Sequence, residues 1–273
     1  MNLKRSARNI ASSLLELKTN KFFKVPANRI AHNLPRELVI SLTSYPPRFE
    51  KLPATIKCLL SQSLSFDRLV LWISHEDRGL LTREILELQE SGLEIRYCEN
   101  LRSFKKIIPS LREFPDSFLV TADDDVYYWP SWLSELVACW KENGEAICHR
   151  AHFVLLDAHG IPLEYNRWEF ETSRHETSRF VFQTGIGGVL YPPGIFHPDV
   201  LKEDIFRRYC FAADDVWLYW MMRRNGGCAK KTPKAHRMFT WQGTQESGLY
   251  VTNVLNGGND QCIQNMLSLY GFP

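Results

Sequence analysis

The sequence predicts an α/β fold: a single domain built on a central, mainly parallel mixed sheet flanked by helices. Three observations predict it. Short, almost wholly apolar runs recur through the first half of the chain, each is followed by a stretch with helical apolar spacing, and the connections are short and rich in Pro, Ser and Asp. Strands covered on both faces read as continuous apolar runs, and their alternation with helices is the pattern of right-handed crossover connections. The 273 residues, 44% hydrophobic and 23% charged, allow one large core and exclude a disordered chain or a disulfide scaffold. With 33 basic against 31 acidic residues, the net charge of +2 gives no argument for nucleic acid as a partner.

Residues 1–36 form a basic N-terminal segment with helical character. Lys4, Arg5, Arg8, Lys18, Lys21, Lys24 and Arg29 face a single acid, Glu16, while Ile10, Leu14 and Leu17 recur at helical spacing with Leu15 beside them. Such a helix can lie on an anionic membrane surface or pack on the domain that follows. Pro26 to Pro35 reads as a linker. No run approaches the roughly 20 apolar residues of a spanning helix, and the charged N-terminus does not read as a signal peptide. The expected location is therefore cytoplasmic, with peripheral contact at the inner membrane surface. The seven cysteines, an odd number without CxxC spacing, read as scattered small hydrophobes of a reducing compartment.

The folded region begins near Glu37. Leu38–Leu42 is a buried strand stopped by Thr43-Ser44-Tyr45-Pro46-Pro47, and Leu52, Ile56, Leu59 and Leu60 mark the helix after it. Leu69–Ile73 is a second strand, Thr82–Ser91 a helix, Leu93–Tyr97 a third strand, and Ser103–Phe114 a helix that Pro109 starts or kinks. Phe118–Thr121 is the fourth strand, so residues 37–130 form a Rossmann-like half and residues 131–273 a second half of the same domain. There Ala146–Arg150, Phe153–Asp157 and Val189–Tyr191 read as strands, Arg167–Arg179 as a mobile polar loop, and Asp214–Arg224 as a helix. Asn259 or Asp260 caps the last helix.

Ligands of open α/β sheets bind beyond the carboxyl ends of the strands. Thr43–Arg48, Ser74–Asp77 and Asp123–Asp125 all fall there. In extended backbone Asp123 and Asp125 would point to one side and Asp124 to the other. Carboxylates this close repel one another unless a cation compensates, and a hard divalent ion shared with substrate phosphates is the natural compensation. A solvated acidic turn is the alternative. Asp214 and Asp215 open a helix, where the dipole favours acids, so capping competes with chemistry for them. Lys105 and Lys106 read either as phosphate ligands or as a solvated helix face.

The run FLVTADDDVYYWPSWL resembles the DxD region of nucleotide-sugar-dependent glycosyltransferases of the GT-A fold, in particular bacterial family-2-like enzymes of polysaccharide and lipopolysaccharide synthesis. LVISLTSYPPRFEKLPATIKCLLSQSL and RSFKKIIPSLREFP are similar to their first strand-helix unit and to the stretch before the fourth strand. The resemblance covers roughly Leu38 to Tyr270 and is most specific in the first half. It implies a metal-dependent hexosyltransferase that moves a sugar from a nucleotide diphosphate donor, a UDP-sugar first, to a hydroxyl of a glycan or glycolipid.

By the same resemblance, Thr43, Ser44, Tyr45, Arg48, Lys105, Lys106, Asp123 and Asp124 would bind the donor. Asp125, Asp123 and His236 would hold Mn²⁺ or Mg²⁺. Asp215, with Asp214 beside it where many members carry Glu, would act as general base of an inverting reaction. Gly187, Gly188, Trp168 and Trp241 would face the acceptor or sugar, the two tryptophans by stacking. Two other classes compete. A haloacid-dehalogenase-like phosphohydrolase would use Asp123 and Asp125 but wants Thr after the second Asp, where Val126 stands. A nucleotidyltransferase would want a Gly-rich loop where TSYPPR stands. A non-catalytic carbohydrate-binding protein is the rival outside enzymes.

Overall fold

The computed structural model describes residues 2–142, 144–234, 236–244 and 257–273, with side chains from residue 9 onward. The four apolar runs of the first half become β1 (Leu38–Thr43), β2 (Arg68–Ser74), β3 (Leu93–Cys98) and β4 (Phe118–Ala122). They pair in parallel in the order β3-β2-β1-β4, with Leu38 opposite Phe118 and Thr43 opposite Trp72. The second half extends the same sheet through β8 (Val189–Tyr191), β5 (Ala146–Cys148) and β9 (Ala229–Lys231). Only β8 runs against its neighbours, so a mixed, mainly parallel sheet of seven strands spans both halves. A separate two-stranded ribbon joins β6 (Ala151–Phe153) to β7 (Val181–Gln183).

Side-chain alternation along the strands divides the core in two. Leu38, Ile40, Leu42, Leu69, Leu71 and Ile73 pack with α2 (Leu52–Leu60), α3 (Arg83–Glu87) and α5 (Trp132–Cys139). Val39, Val70, Trp72 and Leu119 face the other way, toward α4 (Ile108–Glu113), α6 (Glu203–Tyr209) and α7 (Asp214–Arg224). Ser41 falls on this second face, and its buried hydroxyl donates to the Lys106 carbonyl at 2.6 Å and meets Ser110 Oγ at 2.9 Å. The Trp72 indole donates to the same Ser110 oxygen at 2.8 Å. This polar core ties the segment carrying Lys105 and Lys106 to the sheet.

Helix ends follow local chemistry. Thr82 caps α3 through Oγ1, which accepts from the Ile85 amide. Pro109 starts a helix rather than kinking one: a 3₁₀ turn over Arg102–Lys106 gives way at Ile107 to α4, whose first turn holds the proline where no N–H is missed. α8 (Gly258–Tyr270) is capped by Gly257, at φ 72°, and not by Asn259 or Asp260. Asp260 Oδ1 instead accepts from the Tyr165 amide at 2.7 Å. The strand expected at Phe153–Asp157 ends at Phe153, since Asp157 turns the chain by accepting from the amides of His159 and Ile161.

Two expected loops are anchored. Ile30 exchanges backbone hydrogen bonds with Ser63 and Ser65, so the Pro26–Pro35 stretch is stitched to the domain. Within Arg167–Arg179, Glu169 pairs with Phe153 and Arg174 covers the Phe153 ring at 4.1 Å. The basic N-terminus forms α1 (Asn2–Lys21), where the side chains of Lys4, Arg5 and Arg8 lie outside the described residues. No described helix is long and apolar enough to cross a membrane.

Two predictions follow from buried groups. His149, whose ring nitrogens face the Trp132 carbonyl and Thr232 Oγ1, is pushed by burial down to about 4. His152 is likewise held at about 3 by burial and by Arg150. The unfolded chain takes up these protons near pH 6.5 while the folded chain refuses them, so the two histidines withdraw stability as pH drops from about 6.5 toward 4, while Asp125 and Asp215, which burial and neighbouring acids push up to about 7, act in the opposite sense. Urea midpoints at pH 7.5 and 5 isolate the histidine contribution by difference: on lowering the pH between these values, His149→Gln/His152→Gln is expected to shift toward higher stability relative to the parent chain. Gly188 sits at φ +90°, and a Cβ there would lie 2.5 Å from Trp132 and 3.0 Å from the Thr121 carbonyl. Gly188→Ala is expected to lower unfolding free energy by about 2–3 kcal/mol in the same assay.

Candidate active site at the carboxyl edge of the sheet

β4 stops at Ala122, and the chain turns at Asp124-Asp125 before Val126 pairs with Thr240. The turn is held from behind. The Tyr128 hydroxyl accepts from the Asp123 amide at 2.7 Å, and the Thr55 hydroxyl points at the Asp124 and Val126 carbonyls at 2.9 and 3.2 Å. The Trp241 amide donates to the Asp125 carbonyl at 2.9 Å, and its indole donates to Thr55 Oγ1 at 2.7 Å. The extended backbone assumed from sequence does not reach the acids. The turn places Asp124 and Asp125 together on the Arg48 side, while Asp123 faces Lys106. Asp123 and Asp125 are therefore not the pair that alternation implied.

Arg48 comes from the 3₁₀ turn that Pro46-Pro47 imposes after β1. Its guanidinium contacts Asp124 directly, lies 3.4 Å from Asp125 and reaches the Thr244 carbonyl at 3.3 Å. Ser44 Oγ donates to Asp124 at 2.6 Å, and Tyr45 lies under the guanidinium at 5.5 Å. Thr43 spends its hydroxyl on the Trp72 carbonyl. Burial works against the charge on Arg48, but Asp124 and Asp125 outweigh it and hold the group firmly protonated. Burial raises Asp124, and burial with the Asp124 charge pushes Asp125 up to about 7 despite Arg48.

The second acidic pair arrives on α7. Lys106 Nζ lies 3.0 Å from Asp123 and 3.2 Å from Asp214, joining the two clusters through one ammonium. Burial disfavours that charge, yet Asp123, Asp214 and Asp215 raise Lys106 well above its ordinary value. Asp215 receives the Gly185 amide on both oxygens, at 2.9 and 3.0 Å. Burial and Asp214 nonetheless push it up to about 7. Lys105, lowered by burial, donates to the Ser44 carbonyl at 3.1 Å. Neither lysine is a solvated surface residue.

Asp123, Asp124, Asp125, Asp214, Asp215, Ser44, Tyr45, Arg48, Lys105 and Lys106 thus converge on one edge. Five other expected residues are committed elsewhere. His236 stacks on Trp129 at 3.7 Å between centroids and places Nε2 2.6 Å from Glu135, so packing and a carboxylate occupy the expected metal ligand. Trp168 and Trp241 are core residues, 4% and 1% exposed, and offer no ring face to a sugar. Gly187 makes room for Met238 as Gly188 does for Trp132, which accounts for both by packing. Sequence reasoning missed Gly185, whose absent Cβ would fall 2.9 Å from Lys106 Nζ and 3.0 Å from Asp215. It also missed Thr55, Tyr128 and Ser41, which act on backbone carbonyls and amides and carry no motif.

The donor set suits a hard divalent cation. Five carboxylates meet three cationic side chains here, and burial, with the neighbouring acids second, keeps Asp125 and Asp215 raised, an opposition to charge that a bound cation would relieve. Among the described residues no group of three or more His, Cys, Asp or Glu is arranged to hold a metal. An ion taking one or two carboxylates and completing its shell with phosphate oxygens fits such a set.

In sequence the chain matches no family model and no curated protein. In fold it is similar to glucosyl-3-phosphoglycerate synthase from Mycobacterium tuberculosis, in complex with Mn²⁺, UDP and glucosyl-3-phosphoglycerate, at 14% identity over 89% of this chain and 82% of that one, TM-score 0.47. A mannosyltransferase from Pyrobaculum calidifontis with GDP-Man and Mn²⁺ aligns at 12% identity over 98% and 80% of the two chains, TM-score 0.42. The inositol-1-phosphate CTP transferase from T. maritima aligns at 12% identity over 87% and 98%, TM-score 0.43. Likenesses this loose identify no activity.

Removing the ammonium that joins the two acid pairs leaves Asp123 and Asp214 uncompensated in a desolvated site. Lys106→Met is expected to lose about 3 kcal/mol of unfolding free energy, and Lys106→Met/Asp214→Asn to recover part of it, in urea titrations.

Proposed function

We propose that the chain is a divalent-metal-dependent glycosyltransferase that moves a hexosyl group from a nucleoside diphosphate sugar, a UDP-sugar first, to a hydroxyl of a glycan or glycolipid of the cell envelope. The observation that carries the reading is the meeting of the 123–125 turn and the Asp214–Asp215 helix start around Lys106 and Arg48, at the strand edge where α/β sheets bind ligands. The resemblance of FLVTADDDVYYWPSWL to the DxD region agrees with it.

Asp125 would hold Mn²⁺ or Mg²⁺ with the donor diphosphate, Asp123 being turned to Lys106. When bound, such an ion supplies Lewis-acid stabilisation of the departing diphosphate, an effect of several kcal/mol. Arg48 orients the 124–125 carboxylates through its paired contacts and counters, in part, the burial that raises both. Lys106, already charged and desolvated, contributes a fixed positive centre that needs no reorganisation as charge develops on the leaving group. Asp215, half-buried and steadied by the Gly185 amide, would accept the proton of the attacking hydroxyl at a carboxylate oxygen, from the side opposite the leaving group. Its raised affinity for a proton suits a base working near neutral pH.

Incubation with a set of UDP- and GDP-sugars and Mn²⁺ should release nucleoside diphosphate slowly from one donor, by hydrolysis, before any acceptor is known. Asp125→Asn should abolish Mn²⁺-dependent nucleotide binding in calorimetry. Asp215→Asn should keep that binding and lower turnover by about 10²–10⁴-fold. Nucleoside diphosphate affinity unchanged by Mn²⁺, or phosphate released from sugar phosphates without nucleotide, would overturn the reading. Metal-dependent nucleotide-sugar binding without turnover on any glycan would mark a binding protein.

A further inference from the structure

α1 is packed the unexpected way round. Its polar residues face the domain: Ser12 Oγ donates to the Thr240 carbonyl at 2.7 Å, Ser13 to Gln242 at 3.1 Å, and Glu16 takes Lys51 at 2.8 Å. Thr19 and Asn20 continue that line with Cys58 and Lys57. Ile10, Leu14 and Leu17, one turn apart on the opposite stripe, stand 60%, 61% and 66% exposed, and Phe22 beyond the helix end is 67% exposed. Lys18, Lys21 and Lys24 are exposed beside them, and Lys21 Nζ lies 5.5 Å from the Phe22 ring centroid. A soluble helix ordinarily buries such a stripe and exposes the polar one.

We propose that this outward face of α1 docks on an anionic lipid bilayer, with Ile10, Leu14, Leu17 and Phe22 entering the headgroup boundary and the lysines meeting lipid phosphates. Charge selects this occupant. The one acid of the helix, Glu16, is turned inward onto Lys51, so the exposed face offers no carboxylate to the lysines of a second copy. Three lysines beside an apolar stripe match a negative surface at about 1 kcal/mol each, and the short stripe adds a modest apolar term. Docking is reversible and salt-sensitive on these terms. It also orients the domain: Thr240, which α1 holds, pairs with Val126, and Trp241 follows it onto the Asp125 carbonyl, so only the 240–241 segment separates the docked helix from the acidic turn. A lipid-borne acceptor would be presented close to that edge, a corollary that rests on the proposed glycosyl transfer, whereas the docking itself does not.

Vesicle co-sedimentation of the full chain tests docking without any activity. Binding is expected on phosphatidylcholine vesicles containing about 30% phosphatidylglycerol, absent on phosphatidylcholine alone, and weakened by raising NaCl from about 0.1 to 0.5 M. Leu14→Glu/Leu17→Glu and, separately, Lys18→Glu/Lys21→Glu/Lys24→Glu should each weaken it by about tenfold or more, with circular dichroism and melting unchanged because these side chains touch no core. Failure to bind anionic vesicles would overturn the proposal, as would equal binding by both variants. Concentration-dependent dimers in sedimentation velocity that Leu14→Glu/Leu17→Glu abolishes, without vesicle binding, would instead make the face a contact between copies.

Discussion

The ammonium of Lys106 organises this molecule's acidic edge. Two chain segments far apart in sequence, the turn after β4 and the start of α7, bring carboxylates to the same desolvated recess, and like charges so placed repel. Lys106 lies between them, and its own burial is tolerable because Asp123 and Asp214 answer it at 3.0 and 3.2 Å. Its position is inherited from the core, since Ser41 on β1 grips the Lys106 carbonyl while Ser110 and Trp72 complete that polar cluster. A serine in the middle of an apolar strand thereby determines where a charge sits at the strand's end.

How much of this was legible beforehand depends on which force acts locally. The strands β1 to β4 and the helix α7 lie within a residue or two of their apolar runs, because hydrophobic burial writes itself into the order of side chains. The reading failed where partners are distant in sequence. Trp168 and Trp241 stand outside apolar runs yet are enclosed by segments folded over them, and His236 is claimed by Glu135, 101 positions away. The orientation of Asp123–Asp125 turned on where β4 ends, and β4 ends where Thr55, Tyr128 and Trp241 seize its backbone. No spacing rule encodes such side-chain-to-backbone contacts. Asp214 and Asp215 were legible as acids at a helix start, but their role depends on Lys106 and Gly185, which only the tertiary fold brings near.

The N-terminal helix illustrates a different limit. Its composition was plain, a basic segment with an apolar stripe, yet composition does not say which face meets the domain. The domain surface formed by Lys51, Lys57, Cys58 and the Thr240–Gln242 segment is itself polar, so it pairs with serines, Glu16, Thr19 and Asn20, while Leu15 packs inward on the core and Leu14 and Leu17 are left outside. Hydrogen bonding and one ion pair set the helix's rotation, and the apolar stripe is left outside as a result.

Strand β8 has a further consequence. Its neighbours β4 and β5 run toward the acidic edge and leave the sheet there. β8 enters the sheet from that edge, so the segment leading into it lies at the rim, where the Gly185 amide meets Asp215. Strand direction thus differs along a single rim: the reversed strand brings an incoming segment, and its amide, in among outgoing ones. The Gly185 amide and the Lys106 ammonium converge on the carboxylates at the start of α7, and main chain and side chain share the neutralising of that corner.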